Sequence, residues 1–461
     1  MSMNRDAQPM HERQVTSAAH GHMLTSTAVW SADSRWIVYD TRSSPDGSVF
    51  DGTRIERVEV GSGRVEFLYA SQHGACCGVV TASPVDDRVV FILGPEHPTA
   101  EWQYGFNRRQ GVVVRTSRPG VIEPLDARDL VPPFTAGALR GGSHVHVFSP
   151  DGRLASFTYE DAILDGHPAD AATVGSAREK NLRGIGVSLC GQPVLVPQTH
   201  PRNHGATAFT VLATRLTDEP TPGSDEIAKA FEESWIGSYG YLRPDGSRQR
   251  YALAFQGHVV TAAGQTISEV FVCDLPAETQ ALMVAGDQPL QGTLTRRPAP
   301  PRGVSQRRLT FTADRRYPGI DGPRHWLRSS PDGARIACLM RDERGIVQVF
   351  TVSPNGGEPV QVTRDEWSVA SSFSWSPDGR QIAYAADSSI FVVDAASGTS
   401  TRLTVPDTTV PPRPEACVFS PDGRRIAFIR SLAGGSTQSG DPEAPVHNQI
   451  FVVDVPASLG G

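Results

Sequence analysis

Three side chains able to hold a metal or move a proton fall at one register of a repeated sequence. His144, His325 and Glu415 each lie five residues before a serine that opens the tetrapeptide Ser-Pro-Asp-Gly, at Ser149, Ser330 and Ser420. The corresponding residues of other copies are Ser26, Gly78 and Ser371. Two imidazoles and a carboxylate suit a divalent cation such as Mn²⁺, Fe²⁺ or Zn²⁺. Read without a metal, the same residues are the polar lining of a water-filled channel. His146 follows His144 by two and would share its facing on a strand. His22, His73, His200 and His204 precede or occupy similar stretches and are further candidates for a ligand or a base. Arg324, beside His325, is placed either to clamp a carboxylate or to bridge two repeats.

The elements that must position these residues follow from the repeat. Ser-Pro-Asp-Gly stands at Ser149, Ser330, Ser376 and Ser420, with degenerate copies at Ser31 and Ser83. Six residues after the serine comes an apolar residue, as in Ile37, Val89, Ile336, Ile382 and Ile426. Eight after it an aromatic usually follows, as in Tyr39, Phe91, Phe157, Tyr384 and Phe428. Buried positions two apart signal a strand, and Pro-Asp-Gly between apolar runs signals a turn. A third strand such as 347–352 and a closing one such as 359–363 complete four strands in about 45 residues, one propeller blade. First strands are expected near Thr27, Val79, Val145, Phe209, Trp326, Phe373 and Cys417. The fold class is therefore all-β, a single seven-bladed propeller over 1–461. The last blade lacks its closing strand, and 13–16 can supply it and close the ring. Blade four is expected to carry an insertion over 216–305. Within it Gly223 to Trp235 reads as a helix, with Ser224 as cap and Ile227, Phe231 and Trp235 four apart.

Composition narrows the function classes. A net charge of -7 over 461 residues argues against a nucleic-acid groove. The six cysteines form no C-x-x-C pair, which argues against a zinc knuckle. The polar N-terminus lacks an apolar core and no run approaches 18 apolar residues, so a cytoplasmic protein without a signal peptide or membrane span is expected. No nucleophile elbow, phosphate-binding glycine loop or dinucleotide fingerprint occurs.

The Ser-Pro-Asp-Gly…Leu-Thr repeat resembles the TolB-type propeller repeat. A closer resemblance covers nearly the whole chain. Residues 140–150 (Arg-Gly-Gly-Ser-His-Val-His-Val-Phe-Ser-Pro), 222–227, 300–303, 306–312 (Gln-Arg-Arg-Leu-Thr-Phe-Thr) and 323–326 (Pro-Arg-His-Trp) resemble the YidR-like family of bacterial proteins. That resemblance implies the propeller and a cytoplasmic location, and it names no reaction. More distantly, the repeat and the histidines before it are similar to the oligogalacturonate lyases. These are seven-bladed propellers whose metal is held mainly by histidines, with another histidine implicated as base. By that analogy the chain is expected to be a metal-assisted, β-eliminating lyase. Its partner would be a small acidic oligosaccharide, or another small molecule, in the central channel. His144, His325 and Glu415 would be the metal ligands, and His146, His204 and Arg324 the catalytic candidates. The alternative is a non-catalytic propeller that binds a protein or glycan through one face.

Overall fold

Each Ser-Pro-Asp-Gly turn is built the same way. The serine hydroxyl donates to the aspartate carboxylate and accepts a backbone N–H five residues on, as in Ser149 to Asp151 (2.8 Å) and Leu154 to Ser149 (3.0 Å). The glycine takes a positive φ, 69° at Gly152 and 72° at Gly423, which a side chain would resist. Asp151, Asp332, Asp378 and Asp422 are thus turn residues.

These turns join the first two strands of successive blades. The computed structural model describes residues 10–45, 47–165, 178–324, 326–434 and 445–457. Within them lie seven four-stranded sheets of a β-propeller. The first strands are Gly21–Met23, Cys77–Ala82, Gly141–Phe148, Ala230–Trp235, Arg328–Ser329, Ser374–Trp375 and Cys417–Phe419. Glu12–Gln14 pairs antiparallel with Val446–Asp454 and completes blade seven, as the sequence predicts. The core lies between neighbouring blades: Val29, Trp30 and Ile37 of blade one pack on Ala416, Val418 and Ala427 of blade seven. Tryptophans also fasten blades together. Trp30, Trp235 and Trp375 donate their indole N–H to Val418, Val147 and Arg328 carbonyls of the preceding blade. No helix among the described residues is long and apolar enough to cross a membrane.

Two expectations are corrected. There is no helix over 223–235. Ser224 closes a turn, and Ala230–Trp235 is the innermost strand of blade four. Spacing of four is ambiguous, because it satisfies one face of a helix and every second position of one strand face. The 216–305 stretch contains three strands of that blade, Ala230–Trp235, Tyr251–Val260 and Thr266–Leu275, plus a short hairpin and a 3-10 turn. Phe209 lies not in an inner strand but in Ala206–Leu212, the outermost strand of blade three. Alternation of buried residues is the same in inner and outer strands, so pattern alone does not rank them.

The first strands of blades two, three and four are bulged, each with one non-glycine residue at positive φ: Val79, Val145 and Glu232. In blade four the bulge buries the next residue, Glu233, between blades. Neither carboxylate oxygen makes a well-formed hydrogen bond. Burial raises its pKa to about 7, against a smaller lowering by the neighbouring Ser156 hydroxyl. The folded state therefore prefers the protonated acid, and stability present below the unfolded value is withdrawn as pH rises through about 7. A shift of this size corresponds to about 3 kcal/mol. Glu233→Gln should match the parent in urea melts near pH 4.5 and exceed it by up to about 3 kcal/mol at pH 8. Equal stability at pH 8 would show the buried charge to be compensated.

The antiparallel order puts the starts of the first strands and the turns between second and third strands on one face. Blade one has eleven residues between those strands (43–53) and blade two sixteen (94–109), whereas blades four to six have five or fewer (261–265, 342–346 and 387–388). One sector of one mouth is thereby built up. The opposite mouth is a funnel of about 390 Å³ edged by the Ser-Pro-Asp-Gly turns. Arg328 closes the channel between them, crossing from blade five to the Ser26 hydroxyl of blade one at 2.8 Å.

Candidate functional site

The built-up mouth gathers cationic side chains from blades one to three. His144 sits one residue before the bulge of its strand. Burial first, then the charges of Arg109 and Arg183, hold its imidazole well below the usual histidine range, so it is neutral near pH 7. Arg109 ends the 94–109 loop and is 4% exposed. One nitrogen donates to the Tyr104 hydroxyl at 3.3 Å and its Nε has no partner. Among the described residues no carboxylate lies within ion-pair distance of Arg109, and burial lowers its pKa. Arg183 pairs with Glu160 at 3.2 Å. Arg42 pairs with the buried Asp40 at 2.9 Å and lies 5.0 Å over the Phe50 ring. Two of these arginines flank one exposed aromatic: Arg109 is 5.6 Å and Arg183 5.8 Å from the centre of the Phe106 ring.

The bulge separates His146 from His144. Val145 takes φ 55°, alternation restarts, and the facing expected for the two histidines is not shared. His146 is wholly buried between blades two and three, its ring centre 5.5 Å from that of Phe157. A Cβ on Gly111 would overlap the imidazole, which accounts for glycine there. Its Nε2 stands 3.8 Å from Asp126, whose carboxylate also accepts the Gly111 N–H (2.8 Å) and the Ser143 hydroxyl. His204 lies beside the outer strand of blade three and bonds the Asp126 carbonyl oxygen at 3.1 Å. Burial, then Arg128, pushes its pKa down to about 4.

The remaining predicted residues lie elsewhere. Glu415, 5% exposed, precedes the first strand of blade seven. Arg413 at 3.2 Å and Arg324 at 3.6 Å both engage its Oε1, so Arg324 forms the bridge between repeats. His325 lies outside the described residues. His73 stacks on His97 at 4.3 Å, and His200 accepts the Arg202 N–H at 3.1 Å. Cys76 and Cys77 are free thiols whose pKa burial raises, which disfavours the reactive thiolate.

Among the described residues, which do not include His325, the surroundings of His144 and Glu415 do not fit a divalent cation. His144 offers a neutral ring but faces three guanidinium groups, and Glu415 is already matched by two more. Among the described residues no three His, Cys, Asp or Glu side chains gather closely enough to hold an ion. What the mouth can do is neutralise negative charge, with a buried, underused guanidinium at its centre. Arg109, Arg183 and Phe106 were not legible as site residues, because they come from two loops outside the repeat register.

Fold and mouth together define a seven-bladed β-propeller with arginines clustered around His144 over blades one to three. Residues 76–204, which hold most of that cluster, match the family described as "Protein of unknown function (DUF3748)". Residues 355–432 match the "Dipeptidyl peptidase IV (DPP IV) N-terminal region". The chain belongs to the YidR family: it is 44% identical over 418 residues to "Uncharacterized protein YidR" of Escherichia coli (strain K12), covering 90% of this chain and 94% of that protein. Among solved structures, an oligogalacturonate lyase in complex with manganese aligns over 98% of both chains, with a TM-score of 0.52 and 12% identity. A Mycobacterium tuberculosis puromycin-hydrolyzing peptidase aligns over 94% of this chain at a TM-score of 0.43 and 13% identity, and the chain spans about half of it (53%). At these identities the likeness is one of fold.

Proposed function

We propose that the protein binds an acidic oligosaccharide at the mouth over blades one to three and acts on it as a β-eliminating lyase. The observation that carries the binding step is Arg109, a buried guanidinium without a carboxylate partner among the described residues, beside Arg183 and the neutral His144. A buried cation left unpaired is costly unless a ligand completes it. A uronate carboxylate would accept from Arg109 and Arg183, and the withdrawn charge would acidify the proton at C5. His144 is the ring at this mouth free to take it. The C5–H electron pair then forms the C4=C5 double bond, the C4–O bond breaks, and the departing oxygen takes a proton from water. His146, sealed between blades, His204, bonded to the Asp126 carbonyl oxygen, and Arg324, paired with Glu415, are outside this step. The likeness to oligogalacturonate lyase supports the fold for such a reaction.

The test is calorimetric titration with trigalacturonate, together with ultraviolet detection of the unsaturated product. Arg109→Met should weaken binding by about 10- to 100-fold, the worth of a charged hydrogen bond. It should leave thermal stability equal or higher, because an unpaired buried charge is removed. Binding retained in Arg109→Met would remove this site. Binding without product would favour the second reading, a glycan-binding propeller without catalysis.

A further inference from the structure

The mouth presents an apolar ring where a purely anion-binding site would have no use for one. Phe106 is 62% exposed, among the most exposed large apolar side chains of the described residues. Exposure alone says little, since single apolar side chains are common on surfaces; what sets Phe106 apart is the pair of arginines over its ring.

Its position is held from below. Arg128, itself 5% exposed, donates to the Arg108 carbonyl at 3.2 Å and the Arg109 carbonyl at 2.7 Å, pinning the chain just past Phe106. The Arg108 N–H closes a turn on the Gly105 carbonyl at 3.0 Å. The Phe106 carbonyl packs so tightly on Gly142, two residues before His144, that a Cβ there would overlap it. The ring is thus tied to the strand that carries the histidine. The guanidinium groups of Arg109 and Arg183 lie over the ring at 5.6 and 5.8 Å, and the ring still keeps 62% of its surface open to a ligand beside that positive charge.

Resting on the binding reading above, we infer that Phe106 is the platform for a pyranose ring whose carboxylate is held by Arg109 and Arg183, so that the site selects a uronic acid residue over a free carboxylate. The apolar C–H face of a pyranose covers the aromatic, while its ring carboxylate reaches the flanking guanidinium groups. A carboxylate without a sugar ring engages the arginines and leaves the phenyl ring wet. Phe106 is a specificity-determining residue in this arrangement, not a catalytic one.

The experiment compares Phe106→Ala and Phe106→Trp with the parent full-length protein, titrating each with trigalacturonate and with citrate. The parent should prefer trigalacturonate. Phe106→Ala should lose about tenfold in trigalacturonate affinity with citrate affinity unchanged, as expected for one aromatic contact. Phe106→Trp should retain or improve sugar binding. Because the side chain is exposed, all three should melt alike, which separates loss of contact from loss of fold. Unchanged trigalacturonate affinity in Phe106→Ala overturns the platform and leaves the binding reading intact. A parent that binds neither ligand overturns both.

Discussion

Acidification will destabilise this protein between about pH 6.5 and pH 3, and His22 will carry a large share. This histidine is wholly buried on the first strand of blade one, against blade seven. Its Nδ1–H donates to the Asn448 carbonyl at 2.9 Å and its Nε2 has no partner, so only the neutral ring is satisfied. Burial, then the neighbouring His20, lowers its pKa to about 3. The His20 ring stacks on it at 4.4 Å, Tyr39 lies at 4.9 Å, and His447 adds further repulsion once charged. A histidine whose folded pKa is depressed contributes stability that is complete above the unfolded value and lost as pH falls through the folded one. Its shift corresponds to about 5 kcal/mol by pH 3. His204, lowered to about 4, adds about 3 kcal/mol of the same sign. Glu233, raised to about 7, returns about as much on acidification. Over these three groups the loss by pH 3 is about 5 kcal/mol, a large part of an ordinary domain's stability, and His144, also held low, adds to it. Tryptophan fluorescence followed against pH should show the transition in this window. His22→Gln, which keeps a donor for Asn448 but does not titrate, should move the midpoint to lower pH. An unmoved midpoint would place the acid sensitivity elsewhere.

Deleting residues 1–16 will destabilise the ring by about 5 kcal/mol or more, because one largely buried ion pair, a strand and two inter-blade ties go together. Glu12 pairs at 2.8 Å with Arg430, whose side chain is 2% exposed. Without it that guanidinium is left charged in the core. Val15, buried between blades, donates its N–H to the Ile450 carbonyl at 2.8 Å. Met10 donates its N–H to Leu403 in blade six at 2.7 Å, and the Arg13 side chain reaches the Val60 carbonyl in blade one at 2.6 Å. The short terminal segment thus touches three consecutive blades. Its loss also bares the edge of Val446–Asp454, so the truncated protein should associate as concentration rises. Glu12→Gln should reproduce only part of the loss, since the Glu12 side chain is 29% exposed. A truncated protein with the parent's melting temperature would mean that the ring is held shut without its terminal strand.

What the sequence determined by itself was everything that repeats. Ser-Pro-Asp-Gly encodes its own turn through contacts within six residues, such as Ser149 with Asp151 and Leu154. Six blades and the closing role of the N-terminal strand follow from such units and from one being short of a strand; the blade without the motif was counted but its inner strand was misplaced at Phe209. Where a pattern served two structures, sequence did not discriminate: residues four apart at Ile227, Phe231 and Trp235 fit a helix and a strand face alike. Tertiary structure decided the rest. Three bulges, each a single residue of positive φ, reset which neighbours face the same way, and one of them sent His146 into the core while His144 stayed at the mouth. Loop length, not motif, chose the sector where the site lies. Arg109, Arg183 and Phe106 meet there from two loops, Arg183 lying more than seventy positions from the others, and their chemistry comes from who is missing beside them. A sequence states that an arginine is present; only packing settles that no carboxylate of the described residues pairs with it, because a charge is worth what its surroundings leave unmatched.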